Sequence, residues 1–208
     1  MTDSKELLRL AKRVQAIAEN GLHYSENDYD RDRYQDLEAV SVRMLALLSD
    51  QPLERIRELT SEGHGYRTPK VDVRGIVFNN SDEILMVKER VDGHWSLPGG
   101  WCDIGFTPSE VAVKEIAEEA GIPVKAERLL AVFDKRCHPH PEELFYTYKL
   151  FIECIPQNLA VKTGMETLDV GFFPRHSLPA LSTPRNTRNQ IDLMFDYHDG
   201  KLSWPHID

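Results

Sequence analysis

Hydrophobic positions with helical spacing fill the first third of the chain. Residues 4–20 place apolar side chains at intervals of three and four, which is typical of an amphipathic helix, and Asn20-Gly21 predicts its end. A second helix is predicted over 30–48, and Pro52 opens a short third one, because proline suits a first helical turn. Three such helices bury little apolar surface among themselves, so we expect them to pack on the rest of the chain or on a second copy.

From Thr68 onward the pattern changes to β-strands and further helices. A buried strand over 71–78, a turn and a return strand over 84–87 predict a hairpin. A helix is predicted over 107–120, with Thr107 as its N-cap and proline in its first turn. Later elements are expected as strands over 128–134, 145–155 and 167–173 and a helix over 187–198. This order predicts an α+β fold, with a helical domain over 1–66 and a mixed domain over 67–208.

Composition and charge narrow the class of protein. The 208 residues carry a formal net charge of −9, which makes binding to nucleic acid unlikely, since such binding needs a basic surface. No apolar run approaches the ~20 residues of a membrane span, and the charged first residues do not read as a signal peptide. Three sparse cysteines favour a reducing compartment. We therefore expect a cytoplasmic protein with no membrane segment.

The predicted helix over 107–120 carries a cluster of carboxylates. Glu115, Glu118 and Glu119 are spaced i, i+3 and i, i+4, so they share one face, while apolar residues occupy another. Carboxylates are the hard oxygen ligands that Mg²⁺ or Mn²⁺ prefers, although a solvated acidic face is an equal alternative for the helix alone. The preceding Gly99 and Gly100 allow a tight turn beside this face and could offer a backbone carbonyl to a metal. Together these features favour a ligand site.

The segment from Gly100 to Ile122 resembles the Nudix box. Its core Glu-Ile-Ala-Glu-Glu, followed by Ala-Gly-Ile, matches the family pattern over 23 residues. Phe106 stands where the family has glutamate, and Lys114 stands where it has arginine. Because those two side chains brace the loop against the helix in the family, we interpret the joint change as a repacked brace.

Other segments resemble one bacterial Nudix subfamily, which acts on nucleoside diphosphates linked to another moiety X. The helical N-terminal region resembles its extension, and WSLPGGW, KEIAEEAG, FDKRCHPHP and ETLDVGFF resemble in particular its CDP-choline pyrophosphatases. The resemblance implies a Nudix α/β/α sandwich preceded by a small three-helix N-terminal domain. It also implies a homodimer in which that domain holds the two copies together and contributes to substrate selection.

The same resemblance implies a metal-dependent pyrophosphohydrolase that yields a nucleoside monophosphate and phospho-X. Gly100, Glu115, Glu118 and Glu119 are the expected ligands of Mg²⁺ or Mn²⁺, and Glu118, Glu119 and Glu166 are the expected catalytic residues. For Glu166 the alternative is an ordinary loop acid. CDP-choline is the favoured substrate and ADP-ribose the nearest competitor. An RNA-processing Nudix enzyme and a non-catalytic nucleotide sensor are the alternative functions.

Six further residues are candidates for substrate binding. They are Arg74, Lys88, Trp101, Asp103, His138 and His140. For Arg74, phosphate contact and a structural ion pair are about equally supported, since a buried charge needs a partner. For Lys88 a solvated surface charge is the favoured interpretation over phosphate contact. Trp101 either stacks on a base or packs on the sheet. The Cys137-His138-Pro139-His140 segment is a substrate loop or a plain turn rather than a zinc site, because its prolines force an extended path.

Overall fold

The chain folds into two compact units. The computed structural model describes residues 2–49, 51–60 and 66–208. One unit runs up to Thr68 and also takes Glu142–Phe145, while the other takes Pro69–Pro141 and Tyr146–Asp208. The sequence did not predict that the short segment Glu142–Phe145 lies with the helices.

The described part of the first unit is helical. Its helices span Thr2–Tyr24 (α1), Asp28–Ser49 (α2) and Leu53–Thr60 (α3). The predicted end of α1 at Asn20-Gly21 is wrong, since the helix continues for one more turn. A Cβ at residue 21 would lie 2.3 Å from Cε1 of Tyr34, so this glycine lets α2 approach α1 closely and does not end the helix.

A small core holds these helices together. Ala11, Val42, Leu45 and Ile56 are buried in it, and Leu144 packs against them. Apolar side chains nevertheless stay on the surface of the unit: Leu7, Leu10, Ile17, Tyr24, Tyr29, Val40 and Leu47. The three helices therefore leave much of their apolar surface uncovered within this unit.

The second unit contains two β-sheets and two α-helices in its described residues. Its elements span Lys70–Ile76 (β1), Ile84–Glu89 (β2), Trp95–Ser96 (β3), Gly99–Trp101 (β4), Pro108–Ala120 (α4), Val124–Asp134 (β5), Thr147–Pro156 (β6), Thr167–Phe173 (β7), Arg188–His198 (α5) and His206–Ile207 (β8). One sheet has the order β4-β1-β6-β5-β8 and the other β3-β2-β7. In the part of the chain that is described, no helix is long and apolar enough to cross a membrane.

The larger sheet lies between the two helices. Phe151 and Ile152 are neighbours on β6 and therefore point to opposite faces. Ile152 packs in the cluster that includes Ile116 of α4, and Phe151 packs in the cluster that includes Met194 of α5. This alternation builds the layered α/β/α arrangement that the sequence predicts.

The predicted hairpin is only partly correct. Bonds between residues 77–79 and 83–85 close the turn, including Leu85 N–H to Val77 O at 2.9 Å. Beyond the turn β1 pairs with β4 and β6, whereas β2 pairs with β3 and β7 in the other sheet. The strands separate because each finds partners far along the chain, which local periodicity does not reveal.

Candidate active site

The helix α4 is fixed at both ends by its own sequence. Thr107 accepts the backbone N–H of Glu110, and the Glu110 carboxylate accepts the N–H of Thr107 in return, which forms a capping box. Gly121 ends the helix at φ +71°, a left-handed conformation that favours glycine. These caps, both signalled in the sequence, set the register in which the carboxylates leave the helix.

Three carboxylates of α4, those of Glu115, Glu118 and Glu119, differ in exposure. The side chain of Glu115 is 16% exposed and that of Glu118 60%, whereas Glu119 as a residue is 7% exposed. The Lys114 ammonium lies 3.2 Å from a carboxylate oxygen of Glu115 and 3.2 Å from one of Glu118. Among the described residues, no three His, Cys, Asp or Glu side chains stand ready to hold a metal ion. The carboxylates lie on one side of α4, and a lysine cation bridges two of them.

The glycine loop runs directly beside these carboxylates. A Cβ at residue 100 would lie 3.2 Å from Cδ of Glu115, and the N–H of Gly99 donates to Oε2 of Glu119 at 2.9 Å. Gly99 adopts φ +147°, and a Cβ there would lie 2.0 Å from the Val73 carbonyl oxygen. Gly99 is thus needed for the backbone to pass between β1 and α4, and Gly100 brings the loop close to the Glu115 carboxylate.

Burial sets the protonation of the sheltered carboxylates. Burial raises the pKa of Glu119 to about 8, although Arg74 and the Gly99 N–H oppose the change. Burial also raises the pKa of Glu115, against the effect of Lys114. Sheltered oxygens of this kind gain from a nearby cation. Hard carboxylate oxygens, the adjacent backbone of Gly100 and an ammonium already between two carboxylates fit a divalent cation.

A buried ion network lies next to the glycine loop. Arg74 donates from Nε and Nη2 to the Asp72 carboxylate at 3.0 and 2.7 Å, and Lys149 also donates to Asp72. Burial alone would raise the pKa of Asp72, but the two cations hold it below its ordinary value. Burial lowers the pKa of Lys149 to about 8, against the pull of Asp72. Arg74 is thus found in an ion pair; its contact with phosphate stays a prediction.

The loop that carries Glu166 packs on the C-terminal end of α4. The N–H of Gly164 and the hydroxyl of Thr167 both donate to the Glu119 carbonyl, at 3.3 and 3.0 Å. A Cβ at residue 164 would lie 1.9 Å from the carbonyl oxygen of Glu118. The side chain of Glu166 is exposed, and the loop reaches α4 through the Gly164 N–H and the Thr167 hydroxyl.

Three of the predicted substrate contacts lie on β2, on β4 and in the loop that follows β4. Lys88 is half-buried on β2, opposite Trp95 and Asp169 of the neighbouring strands. Trp101 is half-exposed, with Lys70 Nζ 5.7 Å from its ring centre. Asp103 is exposed, and its carbonyl accepts the N–H of Phe106 at 3.2 Å. Their role in substrate binding stays a prediction.

The two predicted histidines make contacts within the protein. His138 Nε2 lies 2.9 Å from an oxygen of Asp208, and His140 Nδ1 lies 2.7 Å from the Thr183 carbonyl oxygen. Burial lowers the pKa of His140 to about 4, so this imidazole is neutral near pH 7. The segment turns through a short 3₁₀ helix at 135–137. Neither ring belongs to a cluster suited to a metal in the described residues.

One buried acid near the site escaped the sequence analysis. Glu89, at the end of β2, is buried, accepts the hydroxyl of Ser96 and pairs with Arg185 at 2.9 Å. Its charge contributes to the raised pKa of Glu119. The signal in the sequence is a glutamate that ends an apolar strand shortly before the glycine loop. Arg185 lies almost a hundred residues away, so the pairing itself is not visible there.

Comparison with known proteins assigns both parts of the chain. Residues 68–194 match the NUDIX domain, and residues 5–60 match the UDP-X-like, N-terminal oligomerisation domain. The chain therefore belongs to the Nudix family and is a Nudix pyrophosphohydrolase, as the resemblance predicted. Enzymes of this family generally use divalent metal ions.

Relatives cover nearly the whole chain. "Putative ADP-ribose pyrophosphatase YjhB" of Bacillus subtilis (strain 168) is 46% identical over 190 residues, 91% of either chain. The crystal structure of a UDP-X diphosphatase matches 99% of both chains with 32% identity and a TM-score of 0.64. An ADP-ribose pyrophosphatase from Streptococcus suis 89-1591 matches 68% of this chain and 100% of its own, with 38% identity and a TM-score of 0.61.

Proposed function

We propose that the protein hydrolyses the pyrophosphate bond of a nucleoside diphosphate linked to X, with Mg²⁺ or Mn²⁺ as cofactor. The observation that carries the proposal is the grouping of Glu115 and Glu119, both sheltered, beside the Gly100 backbone, with the Lys114 ammonium at the carboxylates. This grouping has the donor chemistry of a divalent cation site next to a loop that can approach phosphates closely. The products would be a nucleoside monophosphate and phospho-X.

The proposed cation ligands are the carboxylates of Glu115, Glu118 and Glu119 and the carbonyl of Gly100. When bound, a divalent cation neutralises phosphate charge and lowers the pKa of a coordinated water. The chain itself supplies orientation, because the Gly99 N–H holds the Glu119 carboxylate at 2.9 Å. Lys114 would release its carboxylates to the cation.

The general base is proposed among Glu118, Glu119 and Glu166. Among Glu115, Glu118 and Glu119, Glu118 is the most exposed, which supports a role on the solvent-facing side of the site. Glu166 is also exposed, on a loop that bonds to the end of α4 through the Gly164 N–H and the Thr167 hydroxyl. Arg74, Lys88, Trp101, Asp103, His138 and His140 are retained as proposed substrate contacts.

Two substrates are proposed. CDP-choline is supported by the segments WSLPGGW and FDKRCHPHP, which resemble CDP-choline pyrophosphatases. ADP-ribose is supported by the names of two relatives, whose matches cover 91% and 68% of this chain. Both substrates carry the same pyrophosphate link, so the metal site serves either.

A panel of nucleoside diphosphate derivatives tests the proposal. Purified protein is incubated with CDP-choline, ADP-ribose and a UDP-linked sugar, with Mg²⁺, Mn²⁺ or a chelator, and the products are identified by mass. We expect a nucleoside monophosphate and phospho-X, formed only with metal. Glu118→Gln, which keeps shape and removes charge on the exposed side of α4, should lower turnover at least ~100-fold. Full turnover in this variant, or no metal-dependent turnover of any compound, would contradict the proposal.

A cytoplasmic location and a homodimer complete the proposal. Cys102, Cys137 and Cys154 are free thiols, the state expected in a reducing compartment. The match of residues 5–60 to an oligomerisation domain, together with the uncovered apolar side chains on α1 and α2, supports self-association through the helical unit.

A further inference from the structure

We propose that Asn186 is a positioning residue of the active site. Together with Arg74 it fixes the backbone of Leu97, and so sets where the following glycine loop passes α4. This inference rests on the proposed function, since it assigns a role in that reaction to a residue that does not touch the reacting groups.

Both backbone groups of Leu97 are held by side chains. Its N–H donates to Oδ1 of Asn186 at 2.8 Å, and its carbonyl accepts Nη1 of Arg74 at 3.1 Å. Leu97 lies between the short strands β3 and β4 and is fully buried. Arg74 is 23 residues earlier in the chain and Asn186 is 89 residues later. Two separate parts of the fold therefore meet on one residue.

The next residues of the loop are held in the same way. The Pro98 carbonyl accepts the N–H of Gly75 at 2.8 Å, and the Gly99 N–H donates to Glu119 at 2.9 Å. The backbone of residues 97–99 is thus fixed by β1, by α4 and by the turn before α5. Gly100, a proposed cation ligand, follows directly in the chain. The position of its carbonyl therefore depends on where the backbone of Leu97 is held.

Among the described residues, the side chain of Asn186 makes this hydrogen bond alone. Its side chain is fully buried, and its backbone N–H donates to the Ser182 carbonyl at 3.0 Å. The side-chain Nδ2 is buried without a partner. A buried Nδ2 without a partner is unfavourable for stability, and Oδ1 is the side-chain atom that bonds, to the Leu97 N–H. Thr187, the next residue, caps α5 and anchors Asn186 to that helix.

Arg74 is anchored from its other side. Asp72 accepts two bonds from it, and Lys149 of β6 also pairs with Asp72. Asp72 and Lys149 are register partners across β1 and β6. Asp72 and Lys149 thus fix the guanidinium that holds the Leu97 carbonyl. They therefore position Leu97 indirectly, by holding Arg74.

Substitutions at Asn186 test the proposal. Asn186→Leu keeps the size and removes the acceptor. Asn186→Asp keeps an oxygen acceptor and replaces the unpartnered Nδ2 with a second carboxyl oxygen, so it is compared below the pH at which this buried carboxyl ionises. We measure amide hydrogen exchange of Leu97 and Gly99, then kcat, KM and unfolding temperature. We expect Asn186→Leu to speed exchange at Leu97 at least ~10-fold and to lower kcat at least ~10-fold, with KM within ~2-fold, because small misplacements of a site cost rate. Asn186→Asp should restore most of both.

Gln190→Leu is the matched control. Gln190 is equally buried, its Oε1 accepts the Thr187 N–H at 3.0 Å, and its Nε2 also lacks a partner. This variant should lose stability in the same range and keep kcat. Equal effects of both leucine variants on kcat, or unchanged exchange at Leu97 in Asn186→Leu, would overturn the inference. Should Asn186→Leu not fold, Asn186→Ala carries the same measurements. If the wild type hydrolyses nothing, the proposed function fails, and the exchange data alone decide whether Asn186 fixes the loop.

Discussion

Single residues of this protein show how burial, rather than residue type, sets charge at the site. Glu118 and Glu119 are neighbours on α4, yet one is 60% exposed and the other 7%. Burial raises the pKa of Glu119 to about 8. Lys114, where the Nudix family has arginine, places its ammonium between Glu115 and Glu118. The acidic helix is therefore two sheltered carboxylates and one solvated carboxylate with a built-in counter-cation.

The imidazole of His140 should make the fold sensitive to acid. Its pKa is about 4 in the folded protein and about 6.5 in an unfolded chain, so between these values the unfolded chain binds more protons. The contribution of His140 to the free energy of unfolding is at its full value above about pH 6.5. It is lost as the pH falls toward 4. This group changes the free energy of unfolding by at most about 1.4 kcal/mol per pH unit, and the partial exposure of the ring reduces that change.

His140→Asn tests this because an amide can still donate to the Thr183 carbonyl. Urea unfolding at several pH values from 7 to 4 should show a shallower loss of stability in the variant than in the wild type. Equal slopes would mean that other groups govern the acid response. His138→Asn serves as the control for exchanging a neighbouring imidazole for an amide, since it leaves His140 and its bond to Thr183 in place.

At the scale of elements, the pair of parallel strands β1 and β6 carries a buried charge network. Among the described residues, Asp72 is the acid that pairs with both Arg74 and Lys149 there. A buried ion pair adds little net stability, yet removing one partner leaves an uncompensated charge. The sheet therefore depends on Asp72 more than its pairing pattern suggests.

Asp72→Asn should lower the free energy of unfolding by about 3–5 kcal/mol, since two buried cations lose their carboxylate. Chemical denaturation measures the change. Adding Lys149→Met to this variant removes one of the stranded cations and should recover part of the loss. A double variant that is no more stable than Asp72→Asn would show that Lys149 does not depend on Asp72.

At the scale of the whole molecule, the helical unit leaves apolar surface uncovered. Ile17 is 50% exposed and Leu47 77%, on α1 and α2 respectively. The unit matches an oligomerisation domain, and a two-fold dimer is the commonest assembly of soluble chains. Self-association through these helices would cover that surface.

The variant Ile17→Glu with Leu47→Glu tests the dimer. Charges on these helices should shift the mass in solution, measured by sedimentation, from that of a dimer to that of a monomer, because a buried unpaired charge is costly. Val91→Glu is the control, since Val91 is 84% exposed in the second unit and should leave the assembly unchanged. A charged variant that sediments as a dimer would exclude α1 and α2 as the interface.

The sequence by itself determined the elements whose signals are local. The period of apolar residues predicts α1, α2 and α4, Thr107 and Gly121 fix the ends of α4, and the spacing of its glutamates places them on one face. Such signals involve residues within a few positions of one another, so they do not depend on the rest of the fold. The family could be inferred for the same reason, because the Nudix box is one continuous segment.

Only the tertiary structure decided how distant residues meet. It separated β1 and β2 into different sheets, carried α1 past Gly21 because Tyr34 packs there, and brought Asn186 to Leu97. It also added short strands such as β3 and β8, whose two residues give no periodic signal. The second sheet, the bond to Asn186 and β8 depend on partners far along the chain, whereas β3 pairs with the nearby β2. Burial and pairing follow from those partners. No local sequence pattern therefore predicts the charge of Glu119 or the path of the glycine loop.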